Sequence, residues 1–341
     1  MEPEEFSLVR GALRSFATRY RVGSADEIAP RTRAAAQEAL DELGLADLRR
    51  ASPPAATAQE CALLAEEHGG QPLTTSLLGT ALLAPELLRL LGAPATTARP
   101  TIALARDLRF PGPHPAPLVA WDGDGADHAL AVDPEGIVRH VVPGPPAPTA
   151  DPLRGVRAVP GGGASVGRLT PEARRHWQAY ALVMVSAELV GAARSFVELS
   201  VGHARERRQY GRRIGSFQAV QHLLADATVL VEACASATRY AAWCLDHEPP
   251  GRALTAARVA KAEVNTSAVE AVYAGMQVFG GIAQTWEHVA HLYLRRVLVG
   301  ATVLATTTDL LTALAVPDPE VPAGTRTPDT AAALAAPEAT R

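Results

Sequence analysis

The sequence predicts a mainly α fold with a small β domain, closing in a four-helix bundle, and three features of the 341-residue chain predict it. Apolar residues recur at three- and four-residue intervals through the first hundred positions, the period of a helix buried on one face. Proline and glycine then cluster between about Pro100 and Gly163, around short runs of β-type residues. From Thr170 to Ala315 both become scarce, and long amphipathic stretches return.

In the first stretch Phe6, Leu8, Val9, Leu13, Phe16 and Tyr20 mark one helix, and residues 34–45 and 58–67 carry two more. Gly44 and the pair Gly69–Gly70 stand where C-terminal caps belong. The middle stretch offers strands at 101–104, 118–121, 129–132 and 137–142. Its string Gly163-Ala164-Ser165-Val166-Gly167 reads as a linker, because a nucleophile elbow needs a strand running straight in and a helix straight out. Four helices fit the last stretch, at about 170–207, 217–247, 252–279 and 285–315, with Thr170 and Pro171 as a start signal. Long helices on short connections make an antiparallel bundle. The expected domains are therefore 1–99, 100–168 and 169–316, followed by a Pro, Ala and Thr-rich tail at 317–341 without fixed structure.

Composition excludes several classes of function. A net charge of −4 gives no field for nucleic acid, and 48% hydrophobic residues supply an ample core. Cys61, Cys234 and Cys244 fit neither a zinc site nor a disulfide framework, which points to a reducing compartment. The apolar run from Val297 to Val316 is broken by Asp309 and several threonines, so it suits a buried helix better than a membrane span. A cytoplasmic protein with no membrane partner is expected.

The Asp122, Asp124, Asp127 cluster lacks the glutamate that a calcium loop carries at its twelfth position, where Asp133 stands, and reads as a polar turn. His288 and His291 beside Glu287 offer metal donors at loose spacing, but no metal is expected. Of the 32 basic residues only Lys261 is lysine, so arginine as such carries little information and only placed arginines count.

Two corners are denser than ordinary helix connections. Arg205-Glu206-Arg207-Arg208-Gln209-Tyr210-Gly211-Arg212-Arg213 leads through Ile214-Gly215-Ser216 to Phe217 and Gln218, combining cations, an aromatic ring and glycines. Such a corner suits a phosphate-bearing ligand, although arginines at a helix C-terminus also offset its dipole. The second, Gln277-Val278-Phe279-Gly280-Gly281, pairs an amide with bare backbone.

These corners, roughly 70 residues apart in an all-helical half, resemble the acyl-CoA dehydrogenase family. The resemblance covers about residues 5 to 315 and is specific in the C-terminal half. It implies a helical N-terminal domain, a β-barrel-type middle domain, here reduced, and a C-terminal four-helix bundle. It also implies FAD, whose ADP half would be gripped by Arg207, Tyr210, Gln218, Gln277, Gly280 and Gly281, with Gly211 and Phe217 completing the first motif. The substrate implied is an acyl thioester of CoA or a carrier protein, and the partner another acyl-CoA dehydrogenase-like chain in a homo- or hetero-oligomer.

The departures carry as much weight. Where the family has a Thr-Glu-Pro…Gly-Ser-Asp stretch to hold the flavin ring, this chain has Ala103-Leu104-Ala105-Arg106-Asp107 and a proline-rich segment. The two usual positions of the catalytic carboxylate fall near Leu304 and Ala181, neither of which accepts a proton. Glu188, seven residues after Ala181 on the same helical face, is the candidate substitute base, displaced by about 10 Å; the plainer reading is a buried carboxylate bonded within the bundle. The leading expectation is the base-lacking subunit of a heteromeric dehydrogenase. The alternatives are a homomeric member repurposed for dehydration, isomerisation or cyclisation, and a non-catalytic binding subunit.

Overall fold

Helices open and close the chain, and one sheet lies between them in a computed structural model that describes residues 3–93, 98–113 and 116–316. The expected tail at 317–341 lies outside the described residues. The first part comprises α1 (Pro3–Tyr20), α2 (Pro30–Asp41), α3 (Ala58–Gly69) and a π-helical turn (Leu78–Leu83) that runs into α4 (Ala84–Leu90). Thr57 caps α3 by accepting the Glu60 N–H, while Glu60 returns a carboxylate to the Thr57 N–H at 2.7 Å. Gly44 takes the left-handed conformation expected of a terminal glycine, with φ of 66°. Gly69 does not: it ends α3 itself, and a Cβ there would come within 2.1 Å of the Glu188 carbonyl oxygen. That glycine serves the close crossing of two helices.

The sheet has six strands: β1 (Pro100–Ala105), β2 (Leu118–Trp121), β3 (His128–Val132), β4 (Ile137–Val141), β5 (Val156–Val159) and β6 (Ala164–Arg168). Their order is β5-β2-β1-β3-β4-β6, so β5 and β6 form its two edges. Only β1 and β3 pair in parallel among the described strands. Alternation sends Ile102, Leu104, Val119, Trp121, Leu130 and Val132 into the main core, while Ala103, Ala120, Ala129 and Ala131 pack on the other face. The two edge strands were not anticipated. Instead of a linker, the string from Gly163 to Gly167 enters β6, where Ser165 stands opposite Arg139 beside a register shift. Its side chains are small and mostly exposed, so it lacks the apolar alternation that betrays a strand.

The bundle consists of α5 (Pro171–Glu206), α6 (Gln218–His247), α7 (Pro250–Phe279), α8 (Ala290–Gly300) and α9 (Thr307–Ala315). The expected fourth helix is therefore two, separated by a turn in which Leu304 is left-handed with φ of 70°. The break is encoded by Thr306 and Asp309, which form a capping box that starts α9 afresh. Helix α5 is long and apolar enough to cross a membrane by length and composition, but 89% of its most apolar window is buried within the protein. It is the axis of the bundle.

Charged groups join these parts. Glu188, in the middle of α5 and 2% exposed, accepts from the Arg154 guanidinium and from Arg296 Nη1 at 3.5 Å. Arg154, from the β unit, also donates to Asp122 at 2.6 Å, and Arg296, from α8, donates to Asp151 at 2.8 Å and to the Leu73 carbonyl at 3.2 Å. Asp122 accepts the Gly79 N–H at 2.7 Å, and His68 of α3 lies 3.5 Å from Glu188. One buried cluster thus ties the first helices, the sheet and the bundle together. A second pins Arg49, Arg89 and His176 on the buried Glu86, whose carboxyl these partners hold at about 2 against the opposing pull of burial. In the bundle Lys261 is fully buried, donating to Asn265 Oδ1 and to the Gly300 carbonyl at 3.0 Å, and burial lowers its amine to about 7.

Two outcomes follow from these groups. Glu188→Gln leaves the buried Arg154 and Arg296 guanidiniums one negative charge short, and denaturant unfolding at pH 7 is expected to show a loss of about 3–5 kcal/mol; a loss within experimental error would show that Arg154 and Arg296 do not need it. For Lys261 the folded chain releases a proton that the unfolded chain keeps from about pH 7 up to the ordinary 10.5. Unfolding free energy therefore rises with pH from about 7 to about 8.5, below the range where thiols begin to ionise, with a slope of up to about 1.4 kcal/mol per pH unit. Lys261→Met should flatten that slope, as read by denaturant titrations across the window.

Candidate functional site

The two corners singled out in the sequence meet at one end of the bundle. Helix α5 ends at Glu206, and Arg207 caps it in an extended conformation, its N–H bonded to the His203 carbonyl at 2.8 Å. The chain then forms a hairpin of β7 (Arg208–Gln209) and β8 (Arg212–Arg213). Its turn is Tyr210 and Gly211, both with positive φ, as a two-residue hairpin of this twist demands. A short 3-10 turn (Ile214–Ser216) leads to Gln218, the first residue of α6. Beneath this surface Val201, Ala204, Ile214, Val220, Leu224 and Val278 pack together, locking the ends of α5, α6 and α7 to one another.

The second corner closes α7. Gly280 caps it with φ of 69°, and Gln277, Gly280 and Gly281 are all exposed. A Cβ built on Gly280 or Gly281 meets nothing within 4 Å, so bare backbone is open to a ligand. Phe279 joins the corners: its ring lies 4.4 Å from that of His203, one turn before Arg207, and 4.9 Å from that of His288. Burial, reinforced by Arg207, lowers the His203 imidazole; burial, His203 and His291 lower that of His288. Arg205, Arg207, Arg208, Arg212 and Arg213 are exposed, and no ion pair engages any of them among the described residues. Tyr210 is 93% exposed and touches Phe217 edge-on, while Arg212 lies over the Phe217 ring at 4.1 Å. Cations, an amide, open backbone and aromatic rings fit a dinucleotide's pyrophosphate end.

Glu188 does not join this corner. Nineteen residues separate it from Arg207 along α5, which is about 28 Å of helix. Burial pushes its carboxyl up, but Arg154, Arg296 and the His68 contact outweigh burial and hold it well below the usual carboxylate range. A carboxylate engaged by two arginines has little basicity left, so the geometry corrects its candidacy as a proton acceptor and leaves it a structural role.

The other two base positions are apolar and shut. Ala181 is completely buried in α5 and Leu304 is 1% exposed. Leu304 meets Leu108, also left-handed with φ of 66°: the Leu304 N–H donates to the Leu108 carbonyl at 2.8 Å, and the Phe110 N–H to the Leu304 carbonyl at 3.1 Å. From the far side Lys261 holds the Gly300 carbonyl and Asn265 the Ala305 carbonyl. At the expected place of the flavin cradle, residues 105–109 form a tight turn closed by the Ala105 N–H on the Arg109 carbonyl and the Leu108 N–H on the Ala105 carbonyl. No hydroxyl side chain stands between Ile102 and Pro113, and that of Thr101 is spent on the carbonyls of Trp121 and Asp122. The residues present fit the nucleotide end of FAD and do not fit its ring.

The remaining sequence candidates are occupied otherwise. Asp122 serves Arg154, Asp124 serves Arg33 at 2.6 Å, and Asp127 accepts the Arg99 N–H. His288 Nδ1 accepts the Ala290 N–H, and His291 lies against the Trp286 carbonyl. Among the described residues no group of three or more His, Cys, Asp or Glu is placed to hold a metal. The residues that sequence reasoning missed are Arg154, Arg296 and His68. Their signal was the lone carboxylate in an apolar helix, which requires buried partners without naming them.

Comparison with known proteins bears on the family and the fold. The family model for the acyl-CoA dehydrogenase C-terminal domain matches residues 180–304. The acyl-CoA dehydrogenase IpdE2 of Mycobacterium tuberculosis is 32% identical over 254 residues, covering 74% of this chain and 75% of that one. Among solved structures, the Tcur3481-Tcur3483 steroid ACAD superposes with a TM-score of 0.76 at 22% identity, covering 91% of this chain and 96% of that one. The ChsE4-ChsE5 complex from Mycobacterium tuberculosis gives 0.75 at 19% identity, covering 93% and 99%. From its domain order, its arginine and glycine corners and its identity to IpdE2, the chain belongs to the acyl-CoA dehydrogenase family.

Proposed function

We propose that this chain is the base-lacking subunit of a heteromeric FAD-dependent acyl-CoA dehydrogenase, lending its arginine corner to a cofactor whose ring is held by another acyl-CoA dehydrogenase-like chain. The observation that carries the reading is the coexistence of an open nucleotide corner with shut, apolar base positions in one polypeptide. The two-chain names of its structural neighbours, Tcur3481-Tcur3483 and ChsE4-ChsE5, support a mixed assembly.

In such an assembly Arg207, Tyr210, Gln218, Gln277 and the Gly280–Gly281 backbone would hold the nucleotide end of the cofactor, with Arg207 as its charge partner. Flavin supplies the acceptor for the hydride leaving the β-carbon of the acyl thioester. The partner provides the carboxylate that takes the α-proton, because Leu304 and Ala181 have no group to do so. A cytoplasmic location suits the three unpaired, buried cysteines.

The test is to purify the chain alone and together with a relative that has an intact Thr-Glu-Pro…Gly-Ser-Asp stretch, recording mass, visible spectrum and acyl-CoA oxidation. A colourless chain that yields a yellow, active complex with the relative is the expected result. A yellow homomer that oxidises acyl-CoA unaided would overturn the reading. Within the complex, Arg207→Ala is expected to weaken FAD retention by about 1.5–3 kcal/mol, through loss of one charge-assisted contact. Flavin absorbance after gel filtration reads this directly, and unchanged content would remove Arg207 from the site.

A further inference from the structure

A cavity of about 790 Å³ lies between the start of α2 and the sheet, away from the nucleotide corner. Ile28, Pro30, Pro146 and Val156 give it apolar walls. Four arginines also line it, Arg33, Arg99, Arg154 and Arg157, against two carboxylates, Glu38 and Asp124. This excess of cations occurs in a chain of net charge −4.

The arginines differ in how their charge is met. Arg33 is paired with Asp124, Arg99 with Asp41, and Arg154 with Asp122 and Glu188. Arg157 is held by neutral groups: its Nε donates to the Gly144 carbonyl at 2.8 Å, Nη2 to Pro143 at 3.2 Å and Nη1 to Ala126 at 3.3 Å. Three carbonyls fix the guanidinium without cancelling its charge, and no ion pair engages it among the described residues. Of the two carboxylates, Asp124 is engaged by Arg33 and Glu38 is exposed at the rim. A fixed, uncompensated guanidinium beside apolar walls recognises an anionic group carried on an apolar body.

We propose that this cavity binds a small organic anion, a phosphate or carboxylate attached to an apolar body, with Arg157 as its charge partner. Because Arg154 forms part of the floor, the site adjoins the buried cluster that joins the three parts of the chain. Occupancy therefore stabilises the fold as well as filling the cavity.

The experiment uses the full chain and a fluorescent anion, 8-anilinonaphthalene-1-sulfonate, displaced in turn by 1-naphthyl phosphate, 1-naphthoate and the neutral 1-naphthylmethanol. The expected result is saturable one-site binding, displacement by an anionic competitor and none by the alcohol, with the stronger of the two anions identifying the natural head group. Ala34 lines the rim and is exposed, so Ala34→Glu adds a negative charge without removing a structural contact. It should weaken binding about tenfold at low salt while leaving the melting temperature of the free chain unchanged. Arg157→Gln should also weaken binding, and its melting temperature, lowered by the lost carbonyl bonds, should no longer rise with added anion. Equal displacement by the alcohol, or unchanged affinity in Ala34→Glu, would overturn the proposal. So would a loss of binding in Arg207→Ala, which would assign the probe to the nucleotide corner instead.

Discussion

The ion cluster around Glu188 is the constraint on which the rest of this structure depends. Three carboxylates and two guanidiniums drawn from α5, α8 and the β unit are nearly inaccessible to water, and first-part backbone at Leu73 and Gly79 completes their bonds. Charges buried so deeply are tolerable only as a complete set, because each partner removed leaves another stranded. Hydrophobic packing alone would hold helices to sheet in many relative poses. A set of directional, charge-assisted bonds accepts few, and so it sets how the sheet sits on the bundle.

That arrangement separates two tasks which catalysis must combine. The nucleotide corner depends on the ends of α5, α6 and α7, locked by their own apolar cluster, and needs nothing from the sheet. The region where a flavin ring would lie depends on the sheet and on the turn around Leu304, and there the chain has alanine, leucine and a tight turn in place of hydroxyls and a carboxylate. The carboxylate buried in α5 is claimed by Arg154 and Arg296, so it serves the structure and not proton transfer.

The helices were legible wherever period and punctuation agreed: Thr170 and Pro171 open α5, and Gly280 closes α7. Both corners were legible as chemistry because they break the helical pattern with glycine, arginine and amide. Strand β6 was not, since its exposed small residues carry no alternation, and the Thr306–Asp309 capping box was hidden inside an apolar run that read as one helix. The ion cluster was least legible of all. Its members lie at positions 68, 122, 151, 154, 188 and 296, and nothing local says that a turn in the β unit will face the middle of α5. A sequence shows that Glu188 needs partners; only the long-range topology selects them.

Leu108 and Leu304 bring the same logic to the question of activity. Each sits in the left-handed region, which costs a leucine roughly 1–2 kcal/mol, and each contributes to the short ladder that binds the two turns together. Strain of this kind persists only where surrounding contacts over-determine the conformation. Here they do: Lys261 and Asn265 grip carbonyls on one side of Leu304, while Phe110, bonded to its carbonyl, packs its ring against Trp177 on the other. A turn so held is poorly suited to open and close around a substrate. The buried turn and the absent carboxylate thus point the same way: the polar groups that this end of the chain leaves open to solvent, Arg207 and Gln277 among them, stand at its surface corners and not at the positions of a base.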